Sequence, residues 1–192
     1  MKNSLVRGKH IPMYDVVGFR ADVDPEKLLK KLSELNASSN VEKGDSLHCI
    51  SIQHFKILED LVKFPEKIEM DSTRFQDIWE QCIKPVLLTW PKDRIFPALD
   101  ILRWYLGRKA TFKLNETVAK DVLNVVLSPS NDLLSNNTPE TALRLTLRIL
   151  SNCFLHPSLH KILLLYRENI IGILSNIAET SKSISEGNCP KY

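Results

Sequence analysis

Residues 90–106, WPKDRIFPALDILRWYL, decide the fold. Past Asp93 this stretch is apolar on nearly every side of a helix, and from Pro97 on the exceptions are Asp100 and Arg103. Three residues apart, those two share one helix face. A helix otherwise apolar all round is a buried one, and charges on it are costly unless paired or presented to a partner. The segment therefore predicts a core helix with one polar stripe. That stripe is the first candidate for function.

Outward from it, helix signals recur on both sides. Asp24-Pro25-Glu26 is a helix start, with Asp as cap and Pro at the first helical position. The run after it aligns Leu28, Leu32 and Leu35 and is expected to end at Asn36, before a polar loop. A second helix is expected over about 47–64, with Ile50, His54, Ile57, Leu58 and Leu61 along one side. Ser72 is read as the cap of a segment reaching Trp90, which Pro85 should kink or break. Pro97 opens the central helix, which runs through Gly107, and Asn115 caps another that stops at Ser128-Pro129. Thr138-Pro139-Glu140 repeats the cap-then-proline start and leads to Phe154. Pro157 begins a shorter helix to about Tyr166, and a last one over 168–179 carries Ile170, Ile171, Leu174 and Ile177.

No stretch alternates with a strand's period, so the chain reads as all-α. Residues 84–106 and 125–154 share a pattern: an apolar helix, a polar connection with Pro, then a strongly apolar helix with Arg on its polar face. Armadillo-type repeats have that rhythm, at roughly 40–47 residues per unit. The organisation expected is an extended lead-in over 1–23, a helical domain over 24–179 and a polar tail over 180–192.

Composition narrows the function. A net charge of +3 is too small to point to nucleic acid or an acidic membrane. No glycine-rich nucleotide fingerprint occurs among the six glycines, and no apolar run approaches membrane-spanning length. The four cysteines, Cys49, Cys82, Cys153 and Cys189, form no C-x-x-C, which suits a reduced cytoplasmic or nuclear setting better than a disulfide framework. No metal or cofactor is implied. His156 and His160 have helical metal spacing but no third ligand, and they read as a loop residue and a surface histidine. Cys153 with His156 suggests a thiol nucleophile and base, yet Cys153 lies in an apolar run and reads as an inert buried thiol. Lys27, Lys30 and Lys31 read as a solvated face, and the three tryptophans as core.

The helix TALRLTLRILSNCF places Thr141, Arg144, Arg148, Ser151 and Asn152 on one face. In a solenoid the inner helices stack and line a concave groove, which would put Arg103 and Arg148 on neighbouring helices of one wall. Two arginines with Asn152 suit a carboxylate-bearing peptide, since Arg donates to carboxylates in bidentate fashion. The plainer alternative is that these side chains are solvated or internally paired, Arg103 with Asp100 for instance.

With those residues in view, the sequence resembles the PUL domain, the armadillo-like C-terminal module of phospholipase A-2-activating protein and its relatives. WPKDRIFPALDILR (90–103) looks like the family's central signature, LRILSNCF (147–154) resembles its next groove-lining helix, and the opening stretch 12–36, with PEKLLKKLSELN, is similar to its first helix. The resemblance implies a PUL-type, armadillo-like α-solenoid and a protein-binding module. Members of the phospholipase A-2-activating type serve the AAA ATPase called valosin-containing protein in ubiquitin-dependent turnover, holding its acidic, aromatic-containing C-terminal tail in the groove. Carried over by position, Arg103 matches the groove's signature arginine, and Arg148 and Asn152 match the following helix. Asp100 and Arg144 complete the candidate peptide-binding set. Ubiquitin would be engaged only through propeller and ubiquitin-binding domains that these residues do not contain. Because the family domain continues through further repeats, including another groove arginine, the chain is expected to be truncated before the final ones. No catalysis is expected, and no G-x-S-x-G elbow is present. Two alternatives remain at this point: a fragment of a PUL-containing thiol peptidase, with Cys153 supplying the chemistry, and a generic armadillo scaffold for an unrelated peptide.

Overall fold

The computed structural model describes residues 24–43, 50–64, 72–108, 115–135 and 137–187, and all regular structure among them is helical. The expected lead-in over 1–23, most of the loop before Ile50, and the cysteines Cys49 and Cys189 lie outside the described residues. The helices are α1 (Pro25–Lys43), α2 (Ile52–Lys63), α3 (Ser72–Ile78), a π-helical turn (Trp79–Ile83), α4 (Lys84–Thr89), α5 (Phe96–Gly107), α6 (Glu116–Leu127), α7 (Glu140–Cys153), α8 (Pro157–Leu165) and α9 (Arg167–Gly187). No helix among the described residues is long and apolar enough to cross a membrane.

The predicted starts hold where a local cap sets them. The Asp24 carboxylate accepts from the Lys27 amide at the head of α1, and Asn115 accepts from the Thr117 amide at the head of α6. Each satisfies an amide that the helix itself leaves orphaned. Elsewhere the chain departs from the pattern. α1 does not end at Asn36 but runs on to Lys43. Asn36 instead bonds to the backbone of Ile50, donating to its carbonyl at 2.9 Å and accepting from its amide at 2.8 Å. Its side chain thus copies a peptide group and pins the start of α2, which begins at Ile52 behind a Ser51 cap. Pro85 neither breaks nor ends its helix. The Lys84 amide reaches back five residues to the Trp79 carbonyl, and the widened turn accommodates a ring that cannot donate.

Thr138 does not cap α7 either. Pro139 holds the cap position, and the Thr138 hydroxyl donates to the carbonyl of Asp132. Asp132 is the left-handed residue (φ 50°) that turns the chain after α6. The helix expected over 168–179 extends to Gly187, into the residues read as a polar tail.

The helices stack in two rows. α1, α5 and α7 lie side by side in one row, with α5 and α7 the most extensive pair, while the π turn with α4, then α6 and α8, form the second. Each unit so contributes one helix to each row, the armadillo-like arrangement that the repeat of 84–106 in 125–154 predicts. One continuous apolar cluster runs between the rows from Leu28 to Leu163. α5 is its axis, with Leu99, Ile101, Leu102 and Leu106 fully buried. Each such side chain contributes roughly 1.5–3 kcal/mol. Tyr105 stacks on Phe75 of α3 at 4.2 Å between ring centroids. The expected core stripe of α9 is only partly covered: Ile171 is 58% and Leu174 44% exposed.

Candidate peptide-binding groove

The polar stripe of α5 is where the fold brings charge to an apolar helix. Arg103, although a cation, is 3% exposed, and its Nε donates to Asp100 Oδ1 at 2.6 Å. One helical turn separates the two, so the pairing follows from their spacing. Of the two readings open for Arg103, a free groove contact or the partner of Asp100, the structure shows the paired state. Asp100, about one quarter exposed, forms the outer lip.

Asn152 is not a groove residue. Its side chain is fully buried, and Nδ2 donates at 2.8 Å to the backbone carbonyl of Arg103. It lies on the side of α7 turned towards α5, where close packing leaves no path to a ligand. His156 is likewise corrected: it is 1% exposed, and Nε2 lies 2.7 Å from the carbonyl of Leu106. That carbonyl only accepts, so Nε2 carries the hydrogen. Burial pushes the His156 pKa down, against the opposing effect of the bond to Leu106. Asn152 and His156 thus grip two carbonyls in the last turn of α5. The Leu106 carbonyl, near the C-terminus, has no intrahelical partner.

Arg144 is exposed and paired with Glu140 one turn earlier, while Arg148 is half-buried. The predicted row of Thr141, Arg144, Arg148, Ser151 and Asn152 therefore passes from open surface to core along one helix.

Cys153, the thiol of the peptidase alternative, is fully buried, and desolvation pushes its pKa up to about 12. Both disfavour the thiolate near neutrality, the form that a nucleophile requires. Cys82 is buried in the same way, its thiol donating to the His54 carbonyl, with a pKa raised to about 12. Among the described residues no group of three or more His, Cys, Asp or Glu side chains is arranged to hold a metal ion.

Two depressions meet on the α1–α5–α7 row. One, of about 340 Å³, lies between α1 and α5 and is lined by Asp24, Lys27, Leu28, Lys31, Phe96, Asp100 and Arg103. The other, also about 340 Å³, lies between the turn before α5 and the start of α7, and is lined by Lys92, Phe96, Thr141 and Ala142 among others. Phe96 borders both, so the two depressions adjoin at an aromatic ring and are taken together as the candidate groove.

Its cations differ in availability. Lys27 is bonded to Asp24 at 3.0 Å and Lys31 to Glu34 at 3.4 Å, both on exposed side chains where an ion pair contributes about 1 kcal/mol or less. Lys27 and Lys31, expected as a solvated face, also border the groove, and Lys92 joins them from a turn that helix periodicity does not single out. The signal for Lys92 was its place in the turn directly before the polar-striped helix.

On the opposite row, Trp79 donates from Nε1 to Asp121 at 2.6 Å, and Lys84 bonds both Asp121 and Glu80. Burial alone would raise the Asp121 pKa, but the bonds from Lys84 and Trp79 outweigh it and hold the carboxyl below its usual range. This network ties the π turn to α6. Trp79 and Trp90 are core, whereas Trp104 is half-buried beneath the Arg108 guanidinium, 5.3 Å from its ring centroid.

The family model described as the PUL domain matches residues 11–189, nearly the whole chain. No solved structure matches it.

Proposed function

This chain belongs to the PUL domain family, whose members are protein-interaction rather than catalytic modules, and we propose that its groove receives the acidic C-terminal tail of the AAA ATPase valosin-containing protein. The observation that carries this reading is the groove itself: Lys27 and Lys31 of α1 and Lys92 of the turn before α5 line the depressions that share Phe96 on the α1–α5–α7 row. An extended segment with carboxylates and an aromatic ring matches that distribution of charge and apolar surface. The same proposal makes the chain a non-enzymatic adaptor in ubiquitin-dependent turnover, with a cytoplasmic or nuclear location and with ubiquitin itself met by other domains.

Fluorescence polarisation with a labelled tail peptide tests this. Because Arg103 is buried on Asp100, reversing its charge would disturb the fold as much as the groove. The better probe is Lys27→Glu with Lys31→Glu, on side chains that project into water. Saturable binding that weakens with salt and falls about tenfold or more in the double variant is expected, since two exposed ion pairs of up to about 1 kcal/mol each are lost and replaced by repulsion. Absence of saturable binding by the folded protein, or binding indifferent to salt and to both substitutions, refutes the reading.

A further inference from the structure

Lys92 stands apart from the other groove cations. Lys27, Lys31 and Arg103 each have a carboxylate partner, while no ion pair or hydrogen bond to the Lys92 ammonium occurs among the described residues. It is nevertheless half-buried, lining a depression whose other walls include Phe96, Pro139 and Ala142.

We propose that Lys92 and the apolar walls of this depression form a subsite for a carboxylate carried beside an apolar or aromatic side chain of the bound acidic peptide, so that Lys92, rather than Arg103, is the cation the ligand meets. The proposal rests on the groove reading above and deepens it. An ammonium held partly out of water with no directly bonded counter-ion is disfavoured, and an arriving carboxylate relieves that cost directly. Arg103 is almost wholly buried and its Nε already donates to Asp100 at 2.6 Å, so it offers the same carboxylate far less open surface. Desolvation holds the Lys92 pKa below its ordinary value, with Asp132 opposing. An anion at the subsite would restore it. Asp93 is the one carboxylate among the lining residues, and it is exposed. The apolar walls supply what a bare anion site lacks, a surface for a ring or alkyl group next to the charge.

The test uses the full chain, isotope-labelled, titrated with 3-phenylpropionate and followed by NMR. Saturable shifts at Thr141 and Ala142 are expected, with affinity falling about tenfold or more in Lys92→Met, as for loss of one charge-assisted bond. Affinity should stay within about threefold in Lys92→Arg, which keeps the charge. The neutral analogue 3-phenylpropan-1-ol should produce no such shifts. Absence of shifts with the acid, equal binding of the alcohol, or undiminished binding by folded Lys92→Met each overturns the subsite. A parallel titration with the tail peptide separates the two claims. If the acid binds through Lys92 and the peptide does not bind at all, the subsite stands and the partner falls. If the peptide binds wild type and Lys92→Met alike, the partner stands and the subsite falls.

Discussion

Replacing Asn152 by Asp changes almost no volume and reverses the sense of one buried hydrogen bond. The amide Nδ2 now donates to the Arg103 carbonyl at 2.8 Å from a fully buried position. An ionised carboxylate there would point an acceptor at an acceptor in a medium that solvates neither, whereas a protonated carboxyl restores a donor with nearly the original shape. The folded variant therefore holds the acid neutral, its pKa raised far above the unfolded value of about 3.9. Holding it neutral costs about 1.4 kcal/mol for every pH unit above that value, hence about 4 kcal/mol at pH 7 and about 1.5 kcal/mol at pH 5. The sign follows from linkage: between the two pKa values the folded variant binds more protons than the unfolded chain, so its stability rises as pH falls. Urea denaturation of wild type and variant at pH 5, 6 and 7 measures the difference directly. A deficit that stays constant with pH, or one below about 1 kcal/mol at pH 7, would show that Asn152 is not a buried donor to α5 and would refute the clamp.

Three further outcomes follow from the same structure. His156 has a depressed pKa in the fold, so the unfolded chain takes up a proton first. Stability is then complete above the unfolded value near 6.5 and declines below it, by at most about 1.4 kcal/mol per pH unit. His156→Gln, which keeps a donor for Leu106, should flatten the melting-temperature profile between pH 5 and 7, and an unchanged slope counts against the assignment. Asp121→Ala removes the acceptor of both Trp79 and Lys84 and should lower stability by about 1–2 kcal/mol. Because the folded Asp121 pKa is lowered, its contribution is present above the unfolded value near 3.9 and fades as pH falls through the folded one, so wild type and variant should converge in acid. In a chain carrying Cys49→Ser and Cys189→Ser, neither Cys82 nor Cys153 should react with a small disulfide reagent until urea unfolds the protein. Fast labelling of Cys153 in the folded state would favour the peptidase alternative.

Where structure depends on neighbours in sequence, the residues alone predicted it. Asp24 and Asn115 cap because their partners lie two or three residues on. Arg103 pairs with Asp100 because they stand one helical turn apart. The burial of α5 follows from its being apolar on every side but one narrow stripe, and the two-row stack from the repeated pattern of 84–106 and 125–154. Asn36, a plausible helix stop, does not end α1, because its side chain finds its partner in Ile50, fourteen residues away. The break expected at Pro85 became a π turn because the Lys84 amide could reach one residue further back.

The character of the groove belonged to the tertiary structure. Periodicity marked Thr141, Arg144, Arg148 and Asn152 as one polar face. Their exposure depends on how closely α7 lies against α5, and that packing turned Asn152 into a clamp on a carbonyl 49 residues away. His156 was legible only as a residue before proline, since its partner is 50 residues distant. Lys92 carried no periodic signal, being in a turn, and it gained meaning only when α7 closed a wall beside it. The sequence by itself determined where the helices lie, though not all their ends, which faces are apolar and which charges can pair within a turn, because those interactions act over three or four residues. Which charges remain available to a partner was decided by the stacking of the rows, because desolvation depends on everything packed around a group and not on its position along the chain.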